Sequence, residues 1–199
     1  MSLRTYFNDR ADIWDENVAE KDIGKLERMA ERLELKPGSK VLDVGTGTGI
    51  FLPFILNSIG ENGQVVALDI AEEMLKKAQA KGFGHNIEYL NADVIDIPLE
   101  SGIFDCVICY SSFPHFRDKL KALTEINRVM KSGGRLLVCH TSSRAHINEI
   151  HTQLPDVKDD LLPDSDKMRS VLSAAGFGKI KIEDKSDNYL ASAVKSEIR

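Results

Sequence analysis

Residues 41–49 read VLDVGTGTG, which sets one carboxylate and three glycines in the pattern D-x-G-x-G-x-G, with Asp43 inside an apolar run and Gly45, Gly47 and Gly49 in the turn behind it. Glycine lets a ligand approach bare backbone where a strand gives way to a helix, and the unpaired N–H groups of a helix start suit a polar or anionic ligand. Two phosphate ligands fail on spacing. A dinucleotide fingerprint G-x-G-x-x-G begun at Gly45 needs glycine at position 50, which is Ile50, and a triphosphate loop needs a lysine that does not follow Gly49.

The turn resembles the first motif of the class I S-adenosylmethionine-dependent methyltransferases, small-molecule type (domain classes 11 and 25), whose aliphatic-aliphatic-acid-x-G-x-G-x-G pattern is matched without a gap. The likeness continues through Asp69 in VVALDI, Asp93 in NAD, FDCVICYSSFPHF, ALTEINRVMKSGG and the late AGF, over roughly residues 37–194. It implies S-adenosylmethionine as cofactor and S-adenosylhomocysteine as product. On that likeness Gly45, Thr46, Gly47 and Gly49 meet the methionine portion and Asp43 receives its ammonium, directly or through water; Asp69 accepts from the ribose hydroxyls; Ile70 and Met74 flank the adenine. Asp93 serves the adenine amino group beside the backbone of Ala92 and Val94, and Cys109 and Tyr110 line the methionine end. Ala71 departs from the pattern, standing where such proteins often carry a Ser that caps the next helix. The family's pre-core segment often forms a lid, which makes Tyr6 and Trp14 cofactor or substrate contacts; the plainer reading is that Tyr6, Phe7 and Trp14 only anchor the N-terminal segment.

The cofactor does not explain HTSSRAHINEIH at residues 140–151, which holds three of the five histidines. If Ser143 starts a helix, then Arg144, Ile147, Asn148 and His151 share one face. With the strand-end His140 and with His115 of the SFPHF loop, they converge where a methyl group would be presented. The favoured reading is a substrate pocket with His140 or His115 as base, since a nucleophile that sheds a proton needs a partner titrating near neutrality. Arg144, Asn148 and His151 are then substrate contacts, Arg144 suiting an acidic acceptor unless it pairs with a nearby acid. A zinc site from His115, His140 and His151 and ordinary structural histidines are the alternatives.

These residues need a scaffold. Apolar positions from Asp15 to Leu35 fall at helical spacing up to the breaker Pro37-Gly38. Five apolar strands then alternate with helices closed by Gly60, by Gly82 and by KSGG. An Asp- and Pro-rich loop at 155–166, a helix and two alternating segments joined at Ser186-Asp187-Asn188 follow. This predicts an α/β, doubly wound, mostly parallel seven-stranded sheet with helices on both faces and a C-terminal antiparallel hairpin. The chain of 199 residues reads as one domain: a helical cap at 1–36, a cofactor core at 37–140 and a substrate side at 141–199.

Three cysteines do not suggest a disulfide framework, and Cys106-x-x-Cys109 falls in a strand that turns them to opposite faces. A net charge of −5 argues against a nucleic-acid partner held on a broad basic surface. The longest apolar run, Ile50–Leu56, contains Pro53 and is far short of the roughly 20 residues of a membrane span. Charged residues break the N-terminal segment, so no secretion signal is read there. A small-molecule acceptor, no membrane, and a cytoplasmic protein are therefore expected, with the oligomeric state open. Two rivals stand beside the enzyme: a nicotinamide-dependent oxidoreductase, which Ile50 and Asp93 disfavour, and a non-catalytic cofactor-binding regulator or metal-handling protein, which these residues do not separate.

Overall fold

The computed structural model describes residues 2–18 and 20–196. Its strands are β1 (Lys40–Val44), β2 (Gln64–Asp69), β3 (Ile87–Asn91), β4 (Phe104–Tyr110), β5 (Met130–His140), β6 (Phe177–Lys185) and β7 (Asn188–Lys195). They form one sheet in the order β3-β2-β1-β4-β5-β7-β6. All neighbours are parallel up to β5, and β7 runs antiparallel to both β5 and β6, the expected closing hairpin.

Strand alternation divides the core. Leu42, Val44, Val66, Leu68, Val107, Leu136 and Val138 pack to one side. There they meet α6 (Lys119–Val129) and α8 (Ser165–Ala174) through Leu123, Ile126, Met168 and Leu172. Val41, Val65, Ala67, Ile108 and Leu137 face the other way, onto α3 (Ile23–Leu33) and α4 (Leu52–Ile59). Cys109 lies on the first side and Cys106 on the second, both buried and free, as period-two geometry requires.

Two sequence expectations are corrected here. The stretch from Asp15 to Leu35 is not one helix: α1 (Leu3–Asn8) and the single turn α2 (Trp14–Asn17) precede α3, whose start is set by Asp22 accepting from the Lys25 N–H at 3.2 Å. KSGG is also not outside the strand, because α6 ends at Val129 and β5 begins at once, with a register shift opposite Phe104 and Cys106 that absorbs the extra residues. The remaining helices are α5 (Glu72–Ala80) and α7 (Arg144–Thr152). Among the described residues no helix is long and apolar enough to cross a membrane. The chain order of the strands reverses between β1 and β4, and open α/β sheets take ligands at the carboxyl ends of strands there.

Candidate active site

The glycine turn leaves β1 with all three glycines at positive φ, at 72°, 56° and 80°, a region that L side chains rarely enter. The three serve different ends. A Cβ on Gly45 would stand 2.4 Å from the Ser112 Cβ, so glycine there lets β1 and β4 come together, and the Ser112 hydroxyl seals the contact by donating to the Val44 carbonyl at 2.6 Å. A Cβ on Gly49 would meet Phe83 at 2.8 Å and Leu52 at 2.9 Å, so glycine there allows close packing, and it stands off the cavity lining where a cofactor contact was expected. A Cβ on Gly47 would meet nothing within 4 Å, and its N–H donates to Asp69 Oδ2 at 2.8 Å.

Asp69 ends β2 with its second oxygen accepting from the Ala71 N–H at 2.8 Å, so the carboxylate braces both the turn and the start of α5. It is 7% exposed; burial raises its pKa against the opposing backbone N–H groups. Asp43 is deeper. Burial pushes it up to about 7, the Thr46 hydroxyl opposing and the Asp69 charge adding. It lies beneath the turn and off the cavity lining, as does the fully buried Cys109.

The cavity above these strand ends has a volume of about 750 Å³, in the upper part of the roughly 300–1,000 Å³ usual for small-ligand sites. Gly45, Thr46, Gly47, Asp69, Ile70, Met74, Ala92, Asp93, Val94 and Tyr110 all line it. The N-terminal segment covers it through Tyr6, Phe7 and Trp14. Ala71 offers α5 no side-chain cap; instead Asn8 of α1 accepts from the Glu73 N–H at 3.1 Å, so the covering segment supplies the missing cap from outside.

The far wall carries the imidazoles. His140 ends β5 at 4% exposure, lines the cavity, and its buried Nε2 has no hydrogen-bond partner. Burial, then the charges of His115 and His151, depress its pKa to about 3. It is therefore a neutral imidazole at ordinary pH, not the near-neutral base the sequence suggested. His115 stands in the short turn Phe113–His115, its Nδ1 2.9 Å from Asp160 Oδ2, with both side chains largely buried. His151 lies against it, ring centroids 4.9 Å apart, and its Nδ1 is hydrogen-bonded to the Asp160 carbonyl; burial lowers its pKa. Apolar Ile147, Ile150, Leu154 and Val157 fill the surrounding wall.

Ser143 does cap α7, accepting from the His146 N–H at 3.2 Å, but the face behind it divides. Arg144 turns out of the cavity to Asp184 on β6, Nε to Oδ2 at 3.4 Å, and Asn148 clamps both backbone groups of Leu162 at 2.8 and 3.0 Å. Neither lines the cavity, so both expected substrate contacts are corrected. Among the described residues no group of three or more His, Cys, Asp or Glu is placed to hold a metal ion, so His115, His140 and His151 do not converge as a zinc set. Asp160 was missed, because nothing in an acid-rich loop marks which acid will meet a distant histidine. The apolar wall had a signal, Ile147, Ile150 and Leu154 at i, i+3 and i+7.

A cofactor of the expected kind fits these residues: open space above Gly47, a buried carboxylate at the ribose-side strand end and a second acid at Asp93. A methyltransferase-domain family model matches residues 42–138. The ubiquinone/menaquinone biosynthesis C-methyltransferase UbiE of Teredinibacter turnerae is 40% identical over 112 residues, 54% of this chain but only 45% of that protein. The protein of the same name from a Shewanella strain is 30% identical over 183 residues, covering 78% of this chain and 73% of its own. Among solved structures, a SAM-dependent methyltransferase from Aquifex aeolicus superposes with a TM-score of 0.76 at 26% identity, over 94% of this chain and 98% of that one.

Proposed function

Because this chain belongs to the S-adenosylmethionine-dependent methyltransferases, we propose that it methylates a small hydroxylated aromatic of the quinol kind, with His115 taking up the acceptor's proton. Family membership sets aside the nicotinamide oxidoreductase, and turnover in the acceptor panel below separates the enzyme from a non-catalytic binder. One observation carries the finer reading: a single cavity joins the glycine turn and its acids to an apolar wall that bears three imidazoles. The relatives named for quinone biosynthesis support an acceptor of that chemistry.

At the acid end, Asp69 would accept from the ribose hydroxyls, Asp93 and the backbone of Ala92 and Val94 would meet the adenine edge, and Ile70 and Met74 would flank its faces. Gly45, Thr46 and Gly47 would hold the methionine portion. When bound, the cofactor supplies an electrophilic sulfonium methyl, so the protein's contributions are alignment and removal of a proton. At the other end, His115 accepts the acceptor's hydroxyl proton at Nε2, since Nδ1 is engaged by Asp160. Neutral His140 offers its unpartnered Nε2 to a second acceptor oxygen. Tyr6, Trp14 and the apolar residues of α7 exclude water around the reacting groups, and residues 1–36 serve as cap, 37–140 as cofactor core and 141–199 as acceptor side.

Incubation with methyl-labelled S-adenosylmethionine and a panel of acceptors tests this: 1,4-naphthohydroquinone, catechol and phosphoethanolamine. Label should enter the hydroquinone in preference to the amine. Transfer to the amine alone, or to none of the three, would overturn the acceptor assignment.

A further inference from the structure

Asp160 does not line the cavity, yet it holds two residues that do. Its carboxylate meets Nδ1 of His115 at 2.9 Å and its backbone carbonyl meets Nδ1 of His151. Both partners are pure acceptors, the carbonyl always and the carboxylate whenever it is ionised. Each Nδ1 must then carry the proton and donate it, which leaves each Nε2 with a bare lone pair. The segment that presents Asp160 is itself held: its N–H donates to the Val157 carbonyl at 2.9 Å, and the Asn148 clamp fixes Leu162 two residues on. Arg10 reaches the same segment at Asp156, 3.4 Å away, from the covering N-terminus.

We propose that Asp160 is a positioning residue which locks His115 and His151 in the same tautomer, each with a bare basic Nε2 available to the acceptor compartment. This rests on the methyltransferase reading of the cavity, for it assigns the proton acceptor's orientation. The proton balance is simple: the acceptor's O–H bond breaks, its electron pair stays with the acceptor, and the proton joins Nε2 of His115 while the Nδ1–H remains on the ring facing the Asp160 carboxylate. His151 takes no covalent part; its bare Nε2 beside His115 provides a second site to receive that proton on its way to solvent. The charged or titratable groups facing His115 are Asp160, His151 of α7, His140 of β5 and Asp69 of β2, with Lys119 of α6 acting on Asp160.

Long-range proton–nitrogen spectra of the free protein labelled with ¹⁵N-histidine test this without cofactor or acceptor, signals being assigned with His115→Gln and His151→Gln. Both residues should show protonated Nδ1 and unprotonated Nε2 when neutral. In Asp160→Asn, His115 should lose that single tautomer, because the amide can donate as well as accept, and should show Nδ1–H and Nε2–H forms together. His151, held by a backbone carbonyl, should keep its tautomer. An Nε2–H form of either residue in the wild type overturns the proposal, as does a His115 tautomer unchanged in Asp160→Asn. If that variant does not fold, the wild-type tautomers still decide. Absence of methyl transfer with correct tautomers would count against the acceptor assignment alone.

Discussion

Folded His140 stays neutral down to about pH 3, whereas an unfolded histidine takes up its proton near 6.5, so this residue destabilises the fold progressively as pH falls below 6.5. Asp43 acts with the opposite sign: the folded carboxyl keeps its proton up to about pH 7, the unfolded one loses it near 3.8, and stability is lost as pH rises between them. Each effect runs at about 1.4 kcal/mol per pH unit and they offset each other in the wild type. Relative to wild type, His140→Asn should gain stability as pH falls from about 6.5 to about 4.5, and Asp43→Asn should gain as pH rises over the same interval. Denaturant titrations across that interval check both, and curves parallel to wild type would refute the burial assignments. The glycines give a second residue-level contrast. Gly45→Ala forces a methyl into Ser112 and should cost about 3 kcal/mol or more, whereas Gly47→Ala adds only backbone strain of about 1–2 kcal/mol. Yet Gly47→Ala puts its methyl in open space that a bound cofactor would occupy, so it should weaken S-adenosylhomocysteine by about ten-fold at a smaller stability cost than Gly45→Ala. Calorimetry on both variants reads this contrast.

At the scale of elements, the strands and their glycine-terminated helices were legible because each carries its own apolar period and stop signal. The split between α2 and α3 was not, since helical spacing alone does not reveal that Asp22 will cap a new helix. The uncapped start of α5 was visible at Ala71, but its remedy was not: Asn8 lies 65 residues away from Glu73 and is brought there only by folding of the covering segment. Asn8→Ala should therefore cost about 1 kcal/mol, about 2–4 °C in a thermal melt of a chain this size, and should make the N-terminal segment easier to cleave by limited proteolysis. No change in either would mean that the segment docks through its aromatic residues alone.

For the whole molecule, the convergence of Asp69, Asp93 and the glycine turn on one cavity was readable because these residues sit at strand ends in fixed order, and strand ends share one edge of the sheet. The acceptor end was readable in residue type but not in partnership: Arg144 and Asn148 share a helix face with His151, yet Asp184 and Leu162 draw them elsewhere, and Asp160 supplies what they do not. On the proposed function, one cavity would have an acid end that binds the cofactor and an imidazole end that removes a proton. Calorimetric titration of S-adenosylhomocysteine into wild type, Asp69→Asn and His115→Gln tests that division. Loss of the buried charged acceptor should weaken binding about 10–100-fold in Asp69→Asn, while His115→Gln stays within about two-fold of wild type. Absence of binding to the wild type, or equal losses in the two variants, would contradict it.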